Sequence, residues 1–319
     1  MSARYDIAAL GELLIDFTDS GVSDSGMRLF ERNPGGAPAN VLTAARFGRA
    51  TAFLGKVGDD MHGRFLRQTL LEAGIDVSGL VMAEDVFTTL AFVALNDRGE
   101  RSFSFARKPG ADTCLRPEEL NAAVLDNCRV LHVGSLSLTD EPARGATFAA
   151  VERAKAAGAV ISYDPNYRAA LWPDAETAAR HMRSMVPYAD VMKLSDEETA
   201  LLTDEADPAA AAAVLLAQGV KCAAVTLGAD GAFVATAEGM RAVPGFAVSA
   251  VDTTGAGDAF WGGFLHRMLA LGKAPEALTV DDAADCARWG NATAAVCVTR
   301  RGAIPAMPSL AEAEALLAE

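Results

Sequence analysis

Aromatic residues are scarce in this chain, at 7% of 319 positions, and its 28 basic side chains face 42 acidic ones for a formal charge of −14. A surface of that sign repels phosphate backbones and anionic lipid, which argues against nucleic acid and membrane surfaces as partners. It leaves room for an anionic small molecule, because a local site can oppose the global field. Cysteine occurs at five scattered positions, Cys114, Cys128, Cys222, Cys286 and Cys297, with no C-x-x-C pair. An odd, dispersed set argues against a disulfide framework or a zinc cluster and for free thiols in a reducing compartment. No uninterrupted apolar run approaches the roughly 18 residues that a bilayer span needs, and residues 1–19 show no basic-then-apolar leader pattern. The expectation is a soluble, cytoplasmic protein. What is abundant is aliphatic surface: 51% of residues are hydrophobic, enough to build a large core.

Short apolar runs bounded by turn residues read as strands at Ile7–Leu10, Ala52–Val57, Val130–Val133, Val160–Tyr163, Val191–Lys193 and Ala223–Thr226. Between them, Ala- and Leu-rich stretches carry helical spacing at Ala39–Phe47, Arg64–Ala73, Pro142–Ala157, Ala175–Met185, Pro208–Gln218 and Asp258–Leu271. Strands alternating with helices predict a mostly parallel sheet covered on both faces. Gly74, Gly158 and Gly219 each follow such a helix and suit a left-handed C-terminal cap. Two stretches break the rhythm. Glu12–Arg32 is polar and Gly-rich, and Thr88–Arg107 reads as two strands joined at Asn96-Asp97-Arg98-Gly99, a β-hairpin signature. These segments, approximately 12–36 and 86–110, predict a small β lid on a single α/β domain spanning 1–319.

The stretch richest in chemistry is Val251–Phe260, VDTTGAGDAF. A strand-like approach ends in small residues and an amphipathic helix begins near Asp258. Gly255 and Gly257 permit a sharp turn and close approach of a ligand. The first helical amides then point outward unpaired, with the positive end of the helix dipole behind them. Amides at Gly255, Ala256 and Gly257 would make an anion site suited to a transferring phosphoryl group. Asp258 in the same turn could accept a proton from an attacking hydroxyl as the new phosphorus–oxygen bond develops. A helix-capping acid after a plain turn would leave the same four letters, so neighbouring motifs must decide. No G-x-x-x-x-G-K-[ST] loop occurs, and Phe260 stands where a dinucleotide-type G-x-G-x-x-G would need its last glycine.

From Gly11 to about Pro308 the sequence resembles the ribokinase/PfkB family of carbohydrate kinases, and within it the fructokinases. The resemblance is carried by GELLIDF (Gly11–Phe17), GGAPANV (Gly35–Val41), GKVGDD (Gly55–Asp60), RKPGAD (Arg107–Asp112), ISYDPNYRAALWP (Ile161–Pro173), KLSDEE (Lys193–Glu198), TLGADG (Thr226–Gly231) and VDTTGAGDAF. It implies a ribokinase-like three-layer α/β/α fold with a mostly parallel central sheet and a β lid. It also implies an ATP-dependent kinase acting on a primary sugar hydroxyl, most simply that of fructose to give the 6-phosphate. 2-Dehydro-3-deoxygluconate is the alternative substrate, and a non-catalytic sugar-binding regulator on the same fold is the alternative class. Retention of Asp258 and Glu198 argues against the regulator.

The resemblance also implies residue roles. Asp16 offers a two-oxygen fork for adjacent sugar hydroxyls, while Gly35, Gly36 and Asn40 form a Gly-rich turn leading into a helix. Arg107 and Arg168 are expected at the substrate, Arg168 also suiting a phosphate, and Phe103 and Phe105 are expected to cover the sugar from the lid. Ser195 stands where relatives carry Asn in an N-x-x-E motif, and Glu198 would help to hold Mg²⁺ through its water shell. Thr226, Gly228 and Gly231 resemble a nucleotide-phosphate turn, and Asn291 a position near adenine. Asp252 and Thr254, with carbonyls near Cys297, Arg300 and Gly302, match a possible K⁺ site. His62, His132, His181 and His266 have no mutual metal spacing and read as structural or surface residues. A homodimer through the exposed edge of the lid is a further expectation.

Overall fold

In this computed structural model the described residues are 5–95 and 101–318, with backbone alone at 94–95 and 101–103. A large sheet is built from β1 (Tyr5–Leu10), β4 (Thr51–Gly58), β5 (Asp76–Ala83), β8 (Cys128–Gly134), β9 (Val160–Asp164), β10 (Val191–Ser195), β11 (Cys222–Thr226), β12 (Ala232–Thr236) and β13 (Gly239–Val243). A small one holds β2 (Leu14–Val22), β3 (Arg28–Gly35), β6 (Leu90–Leu95) and β7 (Arg101–Ala106). The large sheet runs β13-β12-β11-β10-β9-β8-β1-β4-β5, the small one β3-β2-β6-β7. From β5 to β11 every pairing is parallel, and β12 and β13 extend the edge antiparallel. The predicted strands all form within two residues of their expected ends. The antiparallel pairing of β6 with β7 matches the predicted hairpin, whose turn at Asn96–Gly99 lies outside the described residues.

Helices cover both faces. One core gathers α3 (Ala122–Leu125), α4 (Ala143–Ala156), α5 (Ala175–Met185) and α7 (Pro208–Ala217) over Ala8, Leu10, Leu131, Val133, Ile161 and Tyr163. The other gathers α1 (Ala37–Ala45), α2 (Met61–Glu72), α8 (Ala256–Leu271) and α9 (Val280–Cys297) over Ile7, Ala9, Val130, Val191 and Ala224. Odd and even positions of the same strands therefore face opposite helical layers, as strand geometry requires. Gly74, Gly158 and Gly219 take the left-handed conformation just past α2, α4 and α7, as expected of caps.

The polar stretch after Glu12 forms β2 and β3, paired antiparallel along their length, two strands of the small sheet in the segment expected to be β. One long helix departs from the sequence reading. The 18-residue helix α9 is not among the expected elements, because its buried face is mostly small residues, alanine with glycine, cysteine and threonine, and offers little apolar contrast. Its start does carry a signal, a Thr279/Asp282 capping box in which each side chain accepts the other's backbone N–H.

α8 is the buried hinge-pin of this layer, wedged between α1 and α9. Gly262 faces α1 so closely that a Cβ would collide with Ala44 and stand 2.8 Å from the Val41 carbonyl. Gly263 faces Thr293 of α9 in the same way. Gly262→Val is expected to lower stability by about 1–3 kcal/mol through overpacking, measured by urea denaturation. It should also part α1 from α8 and reduce activity in the fraction that folds.

Candidate active site

The carboxyl ends of β1, β9, β10 and β11 open toward the start of α8, the place where parallel α/β sheets hold ligands. Gly255 caps α8 in the left-handed conformation with φ +76°, and Ala303 packs 3.0 Å from where its Cβ would be. The amides of Gly255, Gly257 and Asp258 have no protein acceptor among the described residues. That of Ala256 does: it donates to the Thr253 carbonyl at 3.2 Å. This corrects the expected donor set, because Ala256 closes the turn and Asp258 supplies an amide in its place. Residues 252–257 are all at least partly open to solvent.

Asp258 itself is buried, and its Oδ2 accepts Asn40 Nδ2 at 2.7 Å. Burial pushes its carboxyl from 3.8 up to about 6, with Asp164 adding in the same direction and Asn40, Lys193 and Arg168 opposing. Asn40 Oδ1 is buried without a partner, an acceptor free for a hydroxyl. Asp16 lies on β2, between Asn33 of β3 and Ala91 of β6. Burial raises it to about 6 as well, opposed by Arg168 and reinforced by Asp258. Gly35 packs against the Asp16 carboxylate, which leaves no space for a Cβ. Gly36, at φ +124°, sits against the Glu12 carbonyl at the start of α1. Arg168 is exposed, bonded among the described residues only to the Tyr167 carbonyl, and acts electrostatically on both Asp16 and Asp258. The structure brings these groups together.

Arg107 does not join them as a free ligand. Its Nε donates to Asp112 at 2.8 Å, Nη1 to Thr139 at 2.9 Å and Nη2 to the Leu136 carbonyl at 2.8 Å. All three nitrogens are committed in a buried cluster that also joins Thr89 to Asp112. Glu12, which sequence reasoning did not single out, belongs beside it. Its Oε1 accepts the Ala37 amide at 2.9 Å and so caps α1, whose Gly36 has no side chain to do so. Burial raises Glu12 to about 7, less the effect of its backbone hydrogen bonds, while Asp112 raises and Arg107 lowers it. Phe105 is half-buried on β7; the Phe103 side chain lies outside the described residues.

On the other side of the turn, Ser195 caps α6 (Asp196–Thr203). Glu198 is buried, with Oε1 accepting the Tyr167 amide at 2.6 Å and Oε2 the Ser195 amide at 2.8 Å. Each oxygen keeps a lone pair, which fits contact with a metal through water rather than direct ligation. Thr226 bonds the Leu194 carbonyl at 3.2 Å, and Gly228 and Gly231 make the left-handed turn into β12. Asn291 spends Nδ2 on the Val243 and Pro244 carbonyls at 3.2 and 3.0 Å, so it anchors the end of β13. Asp252 accepts Thr254 N and Oγ1 at 3.0 and 2.7 Å and the Gly302 amide at 3.0 Å, tying the two loops of the expected cation site together. Lys193 and Asp164, unremarked in sequence, form a buried ion pair of 2.9 Å beneath the turn. Their signal was present as charges inside apolar strands. The histidines behave as read: His132 is fully buried beside Ser162, and burial drives it to about 3, with Lys193 adding.

A three-layer domain with a second small sheet, and an acid beside free helix amides facing hydroxyl-binding groups, define the ribokinase-like class of small-molecule kinases. Comparison with known proteins sharpens this. The pattern of the pfkB family carbohydrate kinases matches residues 5–310, and the chain belongs to that family. It is 42% identical to fructokinase-1 of Zea mays over 98% of this chain and 97% of that protein. A Xylella fastidiosa fructokinase solved with bound ATP superposes with TM-score 0.89 at 37% identity, covering 98% of both chains. A Vibrio cholerae fructokinase in fructose, ADP and potassium ion bound form gives 0.87 at 34% identity over 99% of each.

If Asp258 must be ionised to act, kcat/KM falls as pH drops through about 6. Asn40 stabilises the ionised form, so Asn40→Ala should move this acid limb upward by roughly 0.5–1 pH unit. A pH–rate series on the two proteins measures it.

Proposed function

We infer that this chain is an ATP-dependent fructokinase that phosphorylates the primary 6-hydroxyl. The observation that carries the reading is the buried Asp258 carboxylate beside the free amides of Gly255 and Gly257, within electrostatic reach of Asp16 and Arg168. In the reaction the sugar oxygen forms a bond to the γ-phosphorus while the bond to the β,γ-bridging oxygen breaks. The electron pair leaves with ADP, and the hydroxyl proton passes to Asp258. The amides hold the equatorial oxygens of the phosphoryl group in flight. Asp16 and Asn40 Oδ1 orient the sugar as acceptors, and Arg168 balances the charge of the two aspartates.

Mg²⁺, when bound with the nucleotide, screens the phosphate charge. Among the described residues no cluster of three ligating side chains exists, so phosphates and water would form most of its shell, with Glu198 touching that water. The Asp252–Thr254–Gly302 junction is the place for K⁺, which would stiffen the amide turn without reaching the sugar. Ser195, Thr226, Gly228 and Gly231 line the nucleotide side. The small sheet acts as the lid over the sugar, with Phe105 on its hairpin. Its β3 side exposes Leu29 and Phe30, with Val22 and Met27 nearby, the face we read as the contact for a second copy. Five free cysteines, four of them buried, fit a reducing cytoplasm. No described helix is long and apolar enough to cross a membrane.

A coupled assay with Mg-ATP and fructose, 2-dehydro-3-deoxygluconate, ribose or adenosine tests substrate choice, and fructose should give the highest kcat/KM. Asp258→Asn should lower kcat by about 10³-fold or more while fructose binding, read by calorimetry, persists. The sign of its stability effect is a control. The folded pKa exceeds the unfolded value, so ionised Asp258 loses the fold stability as pH rises from 3.8 to about 6. At pH 8 the variant should therefore melt no lower than wild type, and inactivity cannot be blamed on unfolding.

A further inference from the structure

The sheet face beneath α8 carries a buried polar row. His132 of β8, Ser162 and Asp164 of β9 and Lys193 of β10 share that face, each under 5% exposed. The pairing of β8, β9 and β10 sets Lys193 beside Asp164. Trp261 of α8 donates its indole N–H to Ser162 at 2.8 Å, so the row also tethers the helix that carries Asp258.

Lys193 has a relation to the turn that the mechanism above does not use. Its Nζ donates to Asp164 Oδ2 at 2.9 Å, leaving two of three N–H groups. The same Nζ stands 2.9 Å from the point where a Cβ on Gly257 would be. Gly257 is not in the left-handed region, so its backbone would accept any residue. The group that such a Cβ would meet first is that ammonium, the end of a side chain held in place by Asp164. Asp164, Glu198 and Asp258 all act on that ammonium and hold it charged despite burial.

We propose that Lys193 is a positioning residue for phosphoryl transfer, its ammonium clamped by Asp164 under the Gly255–Asp258 turn so that one buried positive charge serves both the base and the arriving phosphate. The role in transfer rests on the fructokinase reading above. The effect on Asp258 does not. Asp258 is faced by Asp164 and Lys193 from the sheet, Asn40 from α1, Arg168 from the segment after β9, Asp16 from β2 and Cys297 from α9. Burial drives the Cys297 thiol up to about 12, with Asp258 and Asp252 adding, so it stays neutral. Of the pair, Asp164 raises the acid and Lys193 lowers it.

Opposite signs make the test. Lys193→Met should cut kcat by about 100-fold and move the acid limb of kcat/KM up by roughly one pH unit, with the KM for fructose nearly unchanged. Asp164→Asn should move the limb down, and the Lys193→Met/Asp164→Asn double variant should return it toward wild type while kcat stays low. Lys193→Met alone leaves a buried carboxylate unpaired and can fail to fold. The comparison of Asp164→Asn with the double variant then isolates Lys193 with no such carboxylate. Difference infrared titration against the matching Asp258→Asn proteins reads the acid without turnover. If wild type phosphorylates no fructose, the functional reading fails and the titration still decides Lys193. Shifts of one sign for both residues, or no shift between Asp164→Asn and the double variant, overturn the proposal.

Discussion

Carboxylates crowded where an anion must enter are the constraint around which the site is organised. Asp16, Asp164 and Asp258 repel each other and would repel a nucleotide, in a chain whose formal charge is already −14. Two cations and one helix end oppose them. Lys193 is paired below with Asp164, Arg168 lies at the rim, and the amides of Gly255, Gly257 and Asp258 stand at the positive pole of α8. Screening is weak in the buried part, so each of these charges weighs more than it would on the surface. The balance leaves Asp16 and Asp258 both near 6, each ionised at neutral pH and each still able to take a proton. A free Asp, at 3.8, would be a poorer acceptor.

Much of this was legible before any coordinates. The helix start at Gly255–Asp258 is local chemistry, small residues followed by an acid and an apolar helix, and it reads correctly except that Ala256 closes the turn instead of offering its amide. Asp16, Gly35, Gly36 and Asn40 were legible through motif likeness, and their convergence follows from β2, β3 and α1 being joined by short connections. What stayed hidden depends on contacts between distant segments. Glu12 looks like a polar letter inside GELLIDF, yet its meaning is the Ala37 amide 25 residues away. Lys193 ends a run that reads as an ordinary strand, and only α8 packing overhead reveals its partner at Gly257. Arg107 misled for the converse reason. A rare basic residue beside a Gly-rich turn resembles a ligand group, whereas each of its three nitrogens is engaged by Asp112, Leu136 or Thr139.

That cluster has its own logic. Leu14 and Gly35 mark where β2 leaves the large domain and β3 returns to it, and Thr89 and Arg107 flank β6 and β7. Glu12, Thr89, Arg107 and Asp112 thus gather the roots of all four strands of the small sheet in one buried polar knot. Such groups are expensive to separate once paired. The small sheet is therefore tied at its base, while Val22, Met27, Leu29 and Phe30 are exposed away from it. Asp16 rides on the paired central strand β2 close to the root, while Asn40 and Asp258 ride on helices of the large domain. In the fructokinase reading, a sugar held by both sets would bridge the small sheet and the large domain.

The opening of α8 supplies little stabilisation of its own: the amides of Gly255 and Gly257 lie at solvent rather than on protein acceptors, and the Asp258 carboxyl is buried at a desolvation cost. The rest of that helix supplies the compensation. Phe260, Trp261, Phe264 and Leu265 are almost wholly buried, each worth about 1.5–3 kcal/mol of apolar burial, and the Trp261–Ser162 bond fixes the helix along its axis. The compensation begins two residues after Asp258, and it adds to the local bonds of Asn40 to Asp258, Ala256 to Thr253 and Asp252 to Thr254 and Gly302 that hold the turn. It can keep its donors unpaired because its neighbours hold it in place, and that separation of duties within a single helix is what lets a buried charge and an open anion site share four consecutive residues.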